Sequence, residues 1–277
     1  MIWNALPGKG YSIAEKRVRM NAIWVLARSA YESRLQYTAS HAVRTVASVI
    51  FGMIYISIWQ GIGEQHALEG YGRAGMVAYM AFNQVILWTT FTSHGLGLED
   101  RVRTGQIALD LVRPLNLFVF AAGREAGSIA YNALFTALPL YVLYTFLFGL
   151  PVPSDPFVWL RTIAALVMAA YTAICISYCI GVTALWTVES RWFSLLNYSL
   201  NFVLSGFLMP IAWMPHWLQA VARLSPYPVF NDIPTRTYLG HAAPEALLAP
   251  LVWCVLLSFA CIAATSAVRR KVEVQGG

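Results

Sequence analysis

Long apolar runs alternate with short polar segments along this chain, and six of the runs are near or above the ~20 residues that a bilayer requires. They lie at about 42–62, 74–95, 128–150, 157–186, 192–211 and 246–268. None alternates polar with apolar, which predicts helices rather than barrel strands. The fourth run is overlong and is expected to tilt or to extend beyond the bilayer. Residues 21–37 are amphipathic: Asn21, Arg28, Glu32 and Gln36 lie along one side, with Ile23, Trp24, Ala27, Ala30 and Tyr31 opposite. This predicts an interfacial helix leading into the first span.

The one long charged interruption in the first half, 97–127, reads GLEDRVRTGQIALDLVRPLNLFVFAAGREAG. Arg103, Gln106, Asp110 and Arg113 recur in it at helical spacing as one polar stripe. Ile107, Ala108, Leu111 and Val112 fill the rest of the circumference, and Pro114 ends the helix. So apolar a helix needs a surface to lie on. A narrow stripe carrying both charge signs suits a protein partner, and lipid headgroups suit it as an interfacial linker; the pattern leaves both open.

The segment 212–245 is also patterned. Trp217, Leu218, Val221 and Leu224 form an apolar face while Gln219 and Arg223 point away, and prolines at 210, 215, 226, 228 and 234 cut the stretch into short pieces. The expectation is re-entrant helices dipping into the outer leaflet before the last span; an interfacial surface helix is the neighbouring reading.

Composition agrees with a membrane protein: 58% hydrophobic, 12% charged and a mean hydropathy of +0.57, against about 25% charged for soluble domains. The net charge of +6 therefore bears on topology and not on nucleic acid, for which no aromatic-interleaved basic patch exists. With the amino terminus inside, fourteen Lys and Arg fall on cytosolic segments and only Arg73, Arg223 and Arg236 outside, while Arg44 and Arg161 sit within span ends. Both termini are thus expected in the cytosol. Residues 1–19 are basic and lack the apolar core of a secretory signal, so a disordered tail is expected there, with Met20 as an alternative start, and 272–277 reads as a short C-terminal tail.

Catalytic motifs are missing. Gly8–Lys9 lacks the preceding glycine of a phosphate-binding loop, and no HExxH or GxSxG stretch exists. Histidines 41, 66, 94, 216 and 241 are scattered at boundaries. Cys175, Cys179, Cys254 and Cys261 lie inside apolar runs without ligand-type neighbours, which favours small buried residues over a metal site. What remains are polar residues at membrane depth. Ser194, Asn197, Asn201 and Ser205 share one face of the fifth run; Asn83, Thr90 and His94 share a face of the second; the third holds Asn132. They line a path for an amphiphile or merely bond helix to helix. Glu189 and Arg191, in the short turn after the fourth run, are a second docking contact or a topogenic charge pair.

Three features together resemble the permease subunits of ABC-2 exporters, and more narrowly the bacterial branch with one ATPase and two related six-span permeases. They are the amphipathic amino-terminal helix before six spans, the segment GQIALDLVRPLNLFVFAAGREAG after the second, and SGFLMPIAWMPHWLQAVARLSPYPVF before the last. The resemblance implies an all-α polytopic domain over 20–271 that forms half of a transmembrane dimer with a second permease subunit, related or identical. It implies a separate ABC ATPase, in two copies, that binds ATP and Mg and docks at Arg103, Gln106, Ile107, Asp110, Leu111 and Arg113, with Glu189 and Arg191 beside them. It implies a place in the bacterial inner membrane and outward movement of an amphiphilic or drug-like substrate. A proton-coupled secondary transporter is the first rival, disfavoured because no Asp or Glu stands central in a span. An intramembrane enzyme is the second, disfavoured for want of a nucleophile–base pair.

Overall fold

The computed structural model describes residues 13–35, 38–65, 71–112, 115–187 and 189–275, with the side chains of 13–21, 38–42, 44, 63–65, 269 and 271–275 left out. Residues 1–12 of the expected tail, Arg113, Pro114 and the last two residues lie outside the described residues, whereas 13–19, expected as disordered, belong to the first helix. All regular structure among the described residues is helical. In order it comprises α1 (Ile13–Leu35), α2 (Thr38–Gln65), α3 (Gly72–Thr90), α4 (Leu98–Arg103), α5 (Gln106–Val112), α6 (Leu117–Asn132), α7 (Leu138–Phe148), α8 (Pro156–Thr187), α9 (Arg191–Leu204), α10 (His216–Leu224), α11 (Asp232–Tyr238) and α12 (Leu248–Gln275).

Among the described residues four stretches are long and apolar enough to cross a bilayer: Thr45–Ile62, Leu117–Phe148, Pro156–Thr187 and Pro244–Val268. Their apolar side chains face outward freely, as at Ile50, Ile54, Leu160, Val167, Leu256 and Phe259, which is the pattern of helices solvated by lipid. The chain is an all-α polytopic membrane protein. The second and fifth expected spans take other forms. α3 is the axis of the bundle, buried along most of its length, with Asn83 and Gln84 inside. α9 has 14 residues, about 21 Å of helix against ~30 Å of hydrocarbon. It stops because Gly206 turns the chain at φ +84°, where a Cβ would press on the Tyr79 hydroxyl at 2.8 Å and on Asp232 at 2.9 Å.

The third helix begins at Leu117, eleven residues before the expected 128. Asn116 caps it by accepting a bond from the Phe118 N–H at 2.9 Å. Arg124 and Glu125, read from sequence as loop, therefore stand on a helix, which continues through a π-helical turn at Ala133–Ala137 into α7. α8 has 32 residues, about 48 Å, so the expected overlength is real. Polar pairs join it to α12: Tyr171 to Ser258 and Tyr178 to Thr265, both at 2.7 Å, with the thiols of Cys179 and Cys261 at 3.8 Å. All four cysteines are free.

α1 does not stand apart as an isolated interfacial helix. It packs along α6: Ile23 and Leu26 face Gly123, Ala27 faces Gly127, and Tyr31 meets Tyr131 and Phe135. The pairings climb together, so the two helices run in the same direction. The two glycines, four apart in GREAG, let the backbones approach closely. A Cβ on Gly127 would overlap the Ala27 carbonyl. Gly127→Val is therefore expected to cost about 1–3 kcal/mol and to free α1. Limited proteolysis would show earlier cutting in α1, and unchanged protection would remove this contact from the account.

The re-entrant expectation meets a compact cap of short helices. α10 turns Trp217, Val221 and Leu224 outward and Ala222 inward, while Gln219 donates to the Ala212 and Met214 carbonyls. Pro210 and Pro215 mark breaks as expected. Pro234 does not: it sits in the first turn of α11, where helical N–H groups have no partner to lose.

Candidate functional site

Between α3, α8 and α9 runs a cleft lined by Thr90, His94, Ser194, Asn197 and Asn201, together with Ser93, Gly95, Ser177, Tyr198 and Phe230. Two faces proposed from sequence thus meet on one wall. The cleft holds about 80 Å³, room for a few waters and well short of the ~300 Å³ of a drug-sized site. Asn197 accepts from the Tyr227 hydroxyl at 3.2 Å. Ser194 Oγ and Asn201 Oδ1 are buried without a hydrogen-bond partner.

The other three residues lie elsewhere. Asn83 accepts from the Thr235 hydroxyl at 2.6 Å and donates to the Gly206 carbonyl at 3.1 Å. Ser205 accepts from the Asn231 amide at 2.9 Å. The Tyr79 hydroxyl lies 3.0 Å from the Gly206 carbonyl and 3.1 Å from Asp232, whose other oxygen takes Arg236 at 3.3 Å. Asn83 and Ser205 thus belong to a buried network joining α3, the break after α9, and α11. Asn132 is buried in α6 at the π-helical turn, outside the cleft lining.

The α3–α6 connection is an elbow, not one helix. Thr104 and Gly105, at φ +73°, separate α4 from α5, so the expected stripe through Arg103, Gln106 and Asp110 does not form. Asp110 is 2% exposed and pairs with Arg101. Gln106 faces a hollow of about 640 Å³ between α1, α4 and α6. Ile107 and Leu111 pack inward on the cluster around Leu117 and Tyr178. The outward face of α5 is apolar instead: Leu109 is 70% and Val112 74% exposed. An inward acid and an outward apolar ridge reverse what water alone would select.

Arg103 projects from α4 to Glu99 at 2.9 Å and to Glu189 at 3.2 Å, so the elbow and the α8–α9 turn form one surface at one end of the bundle. Arg103 is half-exposed in both pairs, and such pairs contribute only about 0–1 kcal/mol; they align the surface more than they stabilise it. Arg191 is exposed beside them.

Sequence reasoning missed the parts that join this surface to the cleft. After α3 the chain passes Phe91–Ser93 and turns through Gly95, Leu96 and Gly97, all at positive φ. Leu96 is a strained conformer for a side chain with a Cβ. Packing holds the turn: the backbones of Gly95 and Gly181 touch so closely that a Cβ on either would collide with the other. Glu125, 6% exposed, accepts from the Ser93 N–H at 2.8 Å and from its hydroxyl. Glu99 accepts from the Ser190 N–H at 2.8 Å and hydroxyl at 2.9 Å. Desolvation pushes the Glu99 carboxyl up, but the bonds from Ser190, the Arg103 guanidinium and the Arg191 N–H outweigh it and hold the group below the usual carboxylate range. A depressed pKa means that the contribution is present above the ordinary carboxylate value and is lost only as pH falls through the depressed one; at neutral pH the group is charged.

Among the described residues the elbow turns Leu109 and Val112 outward at one end of a helical membrane bundle, and comparison with known families supplies the class of that bundle. Residues 43–272 match the family model described as ABC-2 family transporter protein. The chain belongs to the ABC-2 transporter family. No curated protein matches it in a sequence comparison. As an ABC-2 permease the chain is a membrane subunit of an ABC transporter, and the ATPase with which it associates is a separate subunit.

Proposed function

We propose that this ABC-2 permease is half of an exporter that moves an amphiphilic or drug-like substrate outward from the cytoplasm. It crosses the bacterial inner membrane six times, α3 making the second crossing and the short α9 completing the fifth through the Ser205–Pro215 segment, with both termini cytosolic, and pairs with a second permease, related or identical. Two copies of the ATPase, which bind ATP and Mg, dock on the elbow end. Leu109 and Val112 supply the apolar contact; Arg103, Glu189 and Arg191 the charged edge; Ile107, Asp110 and Leu111 hold α5 in place from behind. Gln106 flanks the elbow, and Arg113 follows it in sequence.

One observation carries this reading. The stretch Phe91–Gly95 lines the cleft and leads through Leu96 and Gly97 into α4, so any push on the elbow acts on a cleft wall. The polar face of Thr90, His94, Ser194, Asn197 and Asn201 is the proposed path, narrow in this state and widened when the elbow moves. Asn83, Ser205 and Asn132 serve it indirectly by setting the helices around it.

Replacing Asn197 and Asn201 together with Leu tests the path. Each lost substrate hydrogen bond is worth about 1 kcal/mol. Stimulation of the ATPase by amphiphilic dyes is expected to fall roughly thirtyfold, while the thermal midpoint moves by only a few degrees. Unchanged stimulation with a large loss of stability would assign both residues to bundle packing.

A further inference from the structure

We infer that Glu99 is a positioning residue that carries motion of the elbow to α9 and thereby to the cleft; this rests on the coupling reading above. α4 and α9 come from distant parts of the chain, yet one carboxylate joins them. Glu99 Oε2 takes both the N–H and the hydroxyl of Ser190, the residue before α9 begins. Its Oε1 faces Arg103 at 2.9 Å, and Arg103 also reaches Glu189 next to Ser190. Ser190 is 1% exposed and the Glu99 side chain 15%, so the Ser190 side of the joint is shielded from water while its Arg103 side is half-exposed, and the bonds to Ser190 are charge-assisted.

Elsewhere α9 is loosely held. Trp192, Leu195, Leu196 and Leu200 are exposed along its outer side, and its inner side is the cleft wall. At its far end the Ser205–Gly206 break is fixed to α3 and α11 by the Asn83 and Asp232 network. Between those ends the side-chain bond that holds α9 to its neighbours is the one from the Tyr227 hydroxyl to Asn197 at 3.2 Å, and a helix gripped at both ends and lightly held between them turns when one grip moves. The moving grip is Glu99, because α4 belongs to the elbow on which the partner acts; the fixed grip is Gly206.

The test uses the permease purified with its ATPase and probes nucleotide states without any substrate. Spin labels are placed on the outward residues Leu195 of α9 and Val167 of α8, on ketone side chains so that the native thiols stay untouched. The inter-label distance is compared between the nucleotide-free complex and the complex trapped with Mg·ADP and vanadate. Wild type is expected to show a second distance on trapping. Glu99→Ala is expected to keep the nucleotide-free distance and to lose the trapped population at least about threefold. Glu99→Gln, which retains one acceptor for Ser190, is expected to fall between. An unchanged resting distance separates lost transmission from lost structure. If Glu99→Ala fails to assemble, Ser190→Ala, which removes one of the two donors, is read in the same way. Full trapped population in the assembled alanine variant would overturn the role of Glu99 and leave the coupling reading standing. A wild-type complex in which α9 never moves would overturn both.

Discussion

Replacing Leu109 and Val112 together with Glu is expected to abolish ATPase association while leaving membrane insertion intact. Both side chains are largely exposed on α5 and have few contacts within the chain to lose. In a complex they would be buried, each contributing about 1.5–3 kcal/mol, and a buried unpaired carboxylate adds a further penalty. The expected loss is roughly 100-fold or more in affinity, read as loss of the ATPase from the detergent-purified complex. Reversing Arg103 should do far less, a few-fold at most, because its side chain is half-exposed in both of its ion pairs. Asp110 is a poor probe of docking: its removal leaves Arg101 without its buried partner and disturbs the elbow itself. A double variant that still retains the ATPase at wild-type stoichiometry would show that the partner docks elsewhere.

The second large effect is expected at Asp232. It lies at the other end of the bundle from the elbow, 4% exposed, between the Tyr79 hydroxyl and the Arg236 guanidinium. Removing one member of a buried ion pair costs about 3–5 kcal/mol. Arg236 is 42% exposed and recovers some hydration, which puts Asp232→Ala at about 3 kcal/mol, the lower end of that range. Asp232→Asn keeps an acceptor for Tyr79 and should cost about 1 kcal/mol. Denaturation midpoints of the purified permease measure both. An alanine variant as stable as wild type would mean that the network tying α3 to α11 does not hold the cap in place.

Asp232 also shows where sequence reasoning stops. Hydropathy assigned it to an outer loop, since a short helix returning into the bundle leaves no long apolar run. Its burial depends on Tyr79 and Asn83, some 150 residues earlier. The long helices were legible because lipid solvation demands ~20 apolar residues and little else. α3 and α9 were legible as apolar but not as short or central, because their ends are set by tertiary contacts: the turn at Gly95–Gly97 packs on Gly181, and the break at Gly206 packs on Tyr79.

In the elbow, helical spacing suggested one polar stripe, but Gly105 lies inside the pattern and resets the register. Asp110 then turns inward to Arg101, and Leu109 and Val112 are left outside. The glycine was visible; which way the second helix would roll was not, since that depends on Arg101 and on the packing of Ile107 and Leu111. GREAG likewise held a signal, two glycines on one helix face, that marks close helix packing. It was read as loop only because Arg124 and Glu125 stand between them.

The path residues were legible as a set and not individually. Burial cost identifies all eight as polar residues in need of partners. Only three dimensions separate Asn83 and Ser205, whose bonds are made within the bundle, from Ser194 and Asn201, which keep an unpaired atom at the cleft.

The central claim is that α5 is the surface on which an ABC ATPase acts. A photoactivatable crosslinker at position 109, irradiated in inverted inner-membrane vesicles, tests it most directly. The account predicts an adduct with an ABC ATPase, together with shielding of that position from membrane-impermeant reagents added to intact cells. An adduct with lipid alone, or labelling of position 109 from the outer side, would contradict it.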